Sequence, residues 1–154
     1  MQLSQFLDFD AIKPALSPGT KRALFQQLAQ MGGQRLAVEP AAILSSVSER
    51  ERLGSTGFGH GVAIPHGKIE GLAQIYCLFA RLAEPVDYKA IDGEPVDLVF
   101  LLLSPPDAGA EHLKALAAIS RAVRHGPTLE KMRGARSRDA LAAVLMGADE
   151  RDAA

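Results

Sequence analysis

With 154 residues, 47% of them apolar and 23% charged, the chain has the size and composition of one soluble globular domain with a sizeable core. A formal net charge of −1 gives no electrostatic case for nucleic acid or an anionic membrane surface, and the longest apolar runs, such as residues 98–103, are too short to span a bilayer. The single cysteine, Cys77, excludes an internal disulfide framework, and an N-terminus carrying Asp8 and Asp10 lacks the basic start of a signal peptide, so a reducing cytoplasm is expected.

Residues 3–16 read as a short element and turn, with Leu3, Phe6, Leu7, Ile12 and Leu16 available to pack. Ser17, Pro18, Gly19 and Thr20 mark a helix entry. From Lys21 the apolar residues Leu24, Phe25, Leu28 and Met31 recur at helical spacing, and Gly32 and Gly33 are expected to stop that helix. A second helix is expected from about Pro40, a first-turn proline, to about Gly54. Its apolar stripe is Ile43, Leu44, Val47 and Leu53, and Arg50 interrupts it at three residues from both Val47 and Leu53. Two readings of Arg50 stand open: a stem snorkelling over the core, or a guanidinium fork aimed at an anion.

Residues 54–68 are the densest stretch, with five glycines at 54, 57, 59, 61 and 67 around the apolar insert Val62, Ala63, Ile64. Glycines there let backbone N–H groups approach another group closely, while Pro65 presents His66 from a stiff, non-helical backbone. Gly67 is expected to leave one side of the ring uncovered. A Walker A loop is excluded, because Val62 and Ile69 stand where glycine and a hydroxyl residue belong. The dinucleotide fingerprint fails at Ile64, and neither the spacing of His60 and His66 nor the lone Cys77 suits a zinc site. What is left is a histidine in a glycine cradle, either functional or pinning the loop by hydrogen bonds.

Beyond the loop, residues 74–82 form an apolar run typical of a strand buried on both faces, and residues 85–88 an edge piece. Asp92 and Gly93 make a turn, and residues 96–103 are a further buried strand, ended by Ser104, Pro105, Pro106 and Asp107. A helix is expected over 110–124, capped by Asp107, with Leu113, Leu116, Ala117, Ser120 and Val123 on its apolar face. His112 falls in its first turn, where free N–H groups favour an anion. His125 reads as structural, in a last helical turn. Shorter helices are expected over 128–133 and 137–145, with fraying from Gly147. The alternation of strands and helices specifies an α/β layered domain, a central mixed sheet with helices on both faces.

The nineteen residues Arg50-Glu51-Arg52-Leu53-Gly54-Ser55-Thr56-Gly57-x-Gly59-x-Gly61-Val62-Ala63-Ile64-Pro65-His66-Gly67-Lys68 resemble the signature of the IIA domains of the bacterial phosphoenolpyruvate-dependent phosphotransferase system (PTS), fructose/mannitol type. Within that family the chain is most similar to the stand-alone nitrogen-branch IIA proteins, over nearly its whole length, including residues 94–100 and His112-Leu113. One departure is His60, where such proteins usually carry Asn. The resemblance implies a single IIA domain over 1–150, with 151–154 frayed. It implies that Nε2 of His66 accepts a phosphoryl group from HPr or its nitrogen-branch counterpart, stabilised by Arg50, His112 and the loop residues Thr56, Gly57, Gly59 and Gly61. No metal or cofactor is called for, and phosphoenolpyruvate is the ultimate phosphoryl source rather than a ligand.

Phe58, between two glycines, is expected on the face that docks the donor. Three functions compete: a regulatory phosphocarrier acting on target proteins, a sugar-transport component passing phosphate to a IIB domain, and a non-phosphorylated docking module.

Overall fold

In the computed structural model of the chain, the backbone is described for residues 1–153 and side chains for residues 1–148. Two short 3-10 turns, Leu3–Gln5 and Phe9–Ala11, lead into strand β1, Lys13–Leu16. Helices α1 (Lys21–Leu36) and α2 (Pro40–Arg52) follow, then three short strands, β2 (Gly57–Gly59), β3 (Val62–Ala63) and β4 (His66–Lys68). The two long strands are β5 (Tyr76–Val86) and β6 (Val96–Ser104), and α3 (Gly109–Val123), α4 (Gly126–Gly134) and α5 (Arg138–Ala153) complete the chain.

The sheet is mixed, in the order β1-β5-β6-β3-β2, and β4 continues the β3 edge by pairing with β6. β5 and β6 are antiparallel, whereas β1 on β5 and both β3 and β4 on β6 are parallel. Alternating residues of the two long strands feed two cores. Cys77, Phe79, Leu98, Phe100 and Leu102 face α3, α4 and α5 through Ile119, Val123, Met132, Leu141 and Leu145. Leu78, Ala80, Val99, Leu101 and Leu103 face α1 and α2 through Leu24, Leu28, Ile43 and Val47. Helices therefore cover both faces of the sheet, as expected. Among the described residues, no helix is long and apolar enough to cross a membrane.

Several local expectations need correction. α1 runs straight through Gly32 and Gly33 and ends at Ala37, which adopts the left-handed conformation. The glycines serve packing rather than termination: a Cβ on Gly33 would stand 2.7 Å from the Val38 carbonyl oxygen and 2.9 Å from Pro40, and one on Gly32 would press on Ile43. Leu53 is not on the buried stripe of α2 but follows its end, 84% exposed. On α3 the buried face is Ala115, Ala118, Ile119, Ala122 and Val123, with Leu113 and Ala117 exposed, and Ala108 rather than Asp107 stands at the N-cap. His125 precedes α4, with its Nδ1 2.9 Å from the Thr128 hydroxyl, instead of ending α3. The last helix passes Leu145, and of the stretch 151–154 expected to fray, Ala154 and all the side chains lie outside the described residues.

Candidate functional site

α2 delivers Arg50 and Glu51 to one end of the sheet, and β4 brings His66 back beside them. The His66 backbone has little freedom. Pro65 accepts a bond from the Leu102 N–H at 3.0 Å, Ile64 donates to the Thr56 carbonyl at 2.9 Å, and His66 is in parallel register with Leu102. Behind it, α2 lies directly on β4: a Cβ on buried Gly67 would overlap Ser46 Oγ, which donates to the Lys68 carbonyl at 2.8 Å. The glycine is thus required by helix contact, not by exposure of the His66 ring.

The ring itself is half-buried, with Nδ1 2.7 Å from the Ile64 carbonyl oxygen. A carbonyl only accepts, so Nδ1 carries the hydrogen and Nε2 keeps its lone pair. Burial lowers the His66 pKa from its ordinary 6.5; the Ile64 bond opposes this in part, and the nearby Arg50 charge adds to the lowering. The ring is neutral at neutral pH, the state in which Nε2 is nucleophilic.

His66 borders a shallow cavity of about 330 Å³ shared with Arg50, Thr56, Gly57, Phe58 and Ile91. Leu116 and Ser120 of α3 also line it. Arg50 donates from Nη1 to the Gly54 carbonyl at 2.9 Å, which fixes the guanidinium at the cavity edge. Gly57 is held to this role by packing, since a Cβ there would fall 2.5 Å from Ala90 Cβ. Phe58 is 37% exposed, and Ile91, Leu53 and Leu113 are 85%, 84% and 66% exposed. The His112 ring centroid lies 5.3 Å from that of His66, and burial, followed by the charges of His66 and Lys68, pulls the His112 pKa down to about 4. This geometry brings together a neutral nucleophilic nitrogen, a guanidinium, a second neutral imidazole and an exposed apolar fringe.

A family model described as "Phosphoenolpyruvate-dependent sugar phosphotransferase system, EIIA 2" matches residues 5–147. The chain belongs to this family. A nitrogen regulatory protein of Bradyrhizobium diazoefficiens is 44% identical over 145 residues, covering 94% of this chain and 95% of that one. A fructose-specific EIIA component of Haloferax volcanii is 35% identical over 129 residues, covering 83% and 84%. The crystal structure of nitrogen regulatory protein IIA-Ntr from Neisseria meningitidis superposes with a TM-score of 0.87 at 34% identity, covering 93% of this chain and 98% of that one.

Within this PTS IIA fold, the loop residues singled out in the sequence divide. Thr56 and Gly57 line the His66 cavity. Gly59, His60 and Gly61 form the β2–β3 hairpin, and Gly61 and His60 line a second cavity of about 600 Å³ with Asp92, Asp97 and Arg133. There the Arg133 guanidinium grips Asp97 with bonds of 2.9 Å and reaches the His60 carbonyl at 2.5 Å, while the His60 N–H donates to Asp92 at 3.0 Å. His60 has φ of 56°, a left-handed conformation that Asn adopts more readily than most residues.

The residue that sequence reasoning missed is Glu51. Its side chain is 8% exposed and accepts from Lys21 Nζ at 2.8 Å, from the Thr56 N–H at 3.0 Å, from the Tyr88 hydroxyl at 3.2 Å and from the Thr56 hydroxyl. Burial raises its pKa, but the Lys21 and Thr56 bonds outweigh that and hold it below the usual carboxylate value. Lys21 Nζ also sits 4.3 Å over the Tyr88 ring. Glu51 therefore ties α1, α2 and the start of the loop into one unit. The available signal was an acid in the last turn of a helix, the unfavourable end of its dipole.

Proposed function

We propose that this PTS IIA protein is a phosphohistidine phosphocarrier of the nitrogen branch, which accepts a phosphoryl group on Nε2 of His66 and signals by its phosphorylation state. The observation that carries this reading is the His66 Nδ1–H bond to the Ile64 carbonyl, which leaves the Nε2 lone pair available. In the transfer, that lone pair attacks the phosphorus of a phosphohistidine on HPr or its nitrogen-branch counterpart. The new N–P bond forms as the donor's N–P bond breaks, and the electron pair returns to the donor ring. The proton on Nδ1 stays in place, held by Ile64.

Because the transition state is loose, catalysis consists of positioning and of stabilising charge spread over the phosphoryl oxygens. Arg50 at the cavity edge supplies a planar cation, the backbone at Thr56 and Gly57 borders the same space, and His112 supplies a further polar contact. The exposed Phe58, Ile91 and Leu113 fit a surface that a protein donor covers, excluding water from the transfer. A cytoplasmic location suits such partners.

The likeness to the fructose-specific component favours a second reading, in which the phosphoryl group passes on to a IIB domain. Incubation with the energy-coupling proteins and phosphoenolpyruvate, read by intact mass, tests the first step: one phosphoryl group is expected in the parent and none in His66→Ala. An unmodified parent overturns the proposal and leaves a docking module. Onward transfer to a IIB domain in the same mixture separates sugar transport from regulation.

A further inference from the structure

Ser104 is the last residue of β6. It is fully buried, and its Oγ lies 2.6 Å from His112 Nδ1. A serine hydroxyl has one hydrogen, which a buried position must supply with an acceptor because no bulk water reaches it. Among the described residues, His112 Nδ1 is the one partner of this hydroxyl. Were Nδ1 the donor, the serine hydrogen would be left without an acceptor in the protein interior. The hydroxyl therefore donates, Nδ1 of His112 carries the lone pair, and the ring hydrogen resides on Nε2.

The two neighbouring imidazoles are accordingly in opposite tautomers. His66 has its hydrogen on Nδ1 and a lone pair on Nε2, whereas His112 has a lone pair on Nδ1 and its hydrogen on Nε2. We propose that Ser104 is a positioning residue that locks His112 in the Nε2–H tautomer, so that His112 offers a neutral hydrogen-bond donor to the phosphoryl group carried by His66. This rests on the phosphocarrier reading above. The opposite tautomer would turn a lone pair toward phosphoryl oxygens and repel them. An imidazolium would place a second cation beside Arg50 and His66 before any anion arrives. Burial of His112, with the Lys68 charge nearby, keeps the ring from that state. Two neutral rings stand with centroids 5.3 Å apart without that repulsion.

Long-range ¹H–¹⁵N correlation of the imidazole nitrogens in the unphosphorylated protein at neutral pH reads each tautomer directly. The expected spectrum has His112 as Nε2–H and His66 as Nδ1–H. In Ser104→Ala the His112 signals should move to a mixture of tautomers, and phosphorylation by the donor should slow about tenfold, the rate equivalent of roughly one neutral hydrogen bond. Ser104→Thr keeps the hydroxyl and should restore both readouts. A parent His112 found as Nδ1–H, or a Ser104→Ala variant with the parental tautomer and rate, overturns the proposal. If Ser104→Ala fails to fold, the parent spectrum decides. Because that spectrum is recorded without phosphate, it tests the Ser104 lock independently of whether the chain accepts a phosphoryl group at all.

Discussion

Removing the Arg50 guanidinium separates a structural from a catalytic role. Among the described residues Arg50 makes one hydrogen bond, from Nη1 to the Gly54 carbonyl, and it is only half-buried, so truncation to Ala forfeits about 1 kcal/mol of stability. In a chain of 154 residues this lowers the Tm by roughly 2–4 °C. The kinetic loss is far larger if the fork meets the transferring group. A charge-assisted contact made mainly in the transition state contributes about 2–4 kcal/mol, by analogy with an oxyanion donor. At about 1.4 kcal/mol per tenfold, transfer to His66 in Arg50→Ala slows roughly 30- to 1000-fold. Arg50→Lys keeps the charge and loses the planar fork, so it falls between that variant and the parent. Rapid-quench phosphorylation at saturating donor, with circular dichroism alongside, measures both quantities. A folded Arg50→Ala that transfers at the parental rate refutes the reasoning and leaves Arg50 as a side chain that caps the Gly54 carbonyl.

Three other outcomes follow from the same geometry. Glu51→Ala leaves the Lys21 ammonium and the Thr56 N–H without their partner and should cost about 3 kcal/mol in urea unfolding, whereas a loss of only about 0–1 kcal/mol would make the cluster equivalent to an exposed ion pair. Since the folded pKa of Glu51 is lowered from 4.5, its contribution is complete above that value and disappears as pH falls through the folded pKa. His66 and His112 have folded pKa values below the 6.5 of the unfolded chain, so the unfolded state takes up protons first; stability is complete above pH 6.5 and declines toward about pH 4, and His112→Gln should flatten that decline in a pH series of unfolding curves. Phe58→Asp should weaken docking of the donor, seen as slower transfer at limiting donor, with the circular dichroism spectrum unchanged; lost stability instead would assign Phe58 to packing.

Much of the sheet was legible because burial on both faces leaves a plain mark. The run from Val96 to Leu103 is apolar at nearly every position, and both cores need it so. His66 was legible through its signature, and Arg50 because a charge interrupted a helical apolar stripe. Leu53, at the end of that stripe, is exposed, yet Arg50 still borders the His66 cavity. Gly32 and Gly33 misled because a glycine in a helix reads as a stop, while close approach of α1 to Pro40 and Ile43 appears only in three dimensions. The same holds for Leu113 and Ala117: apolar residues at helical spacing mark a face, and whether a core or a partner covers it is not written in the spacing. Glu51 and Ser104 were illegible as site residues for a simpler reason. Their partners Lys21, Tyr88 and His112 are distant in the chain or meaningful only through the ring atom they touch.

The proposed function requires that His66 carry the phosphoryl group. Phosphorylation by the donor, digestion under alkaline conditions that preserve phosphohistidine, and peptide mapping test it most directly. One phosphoryl group is expected, on residue 66, and none anywhere in His66→Ala. Modification of His60, His112 or His125 in the parent, or continued labelling of His66→Ala, would contradict it.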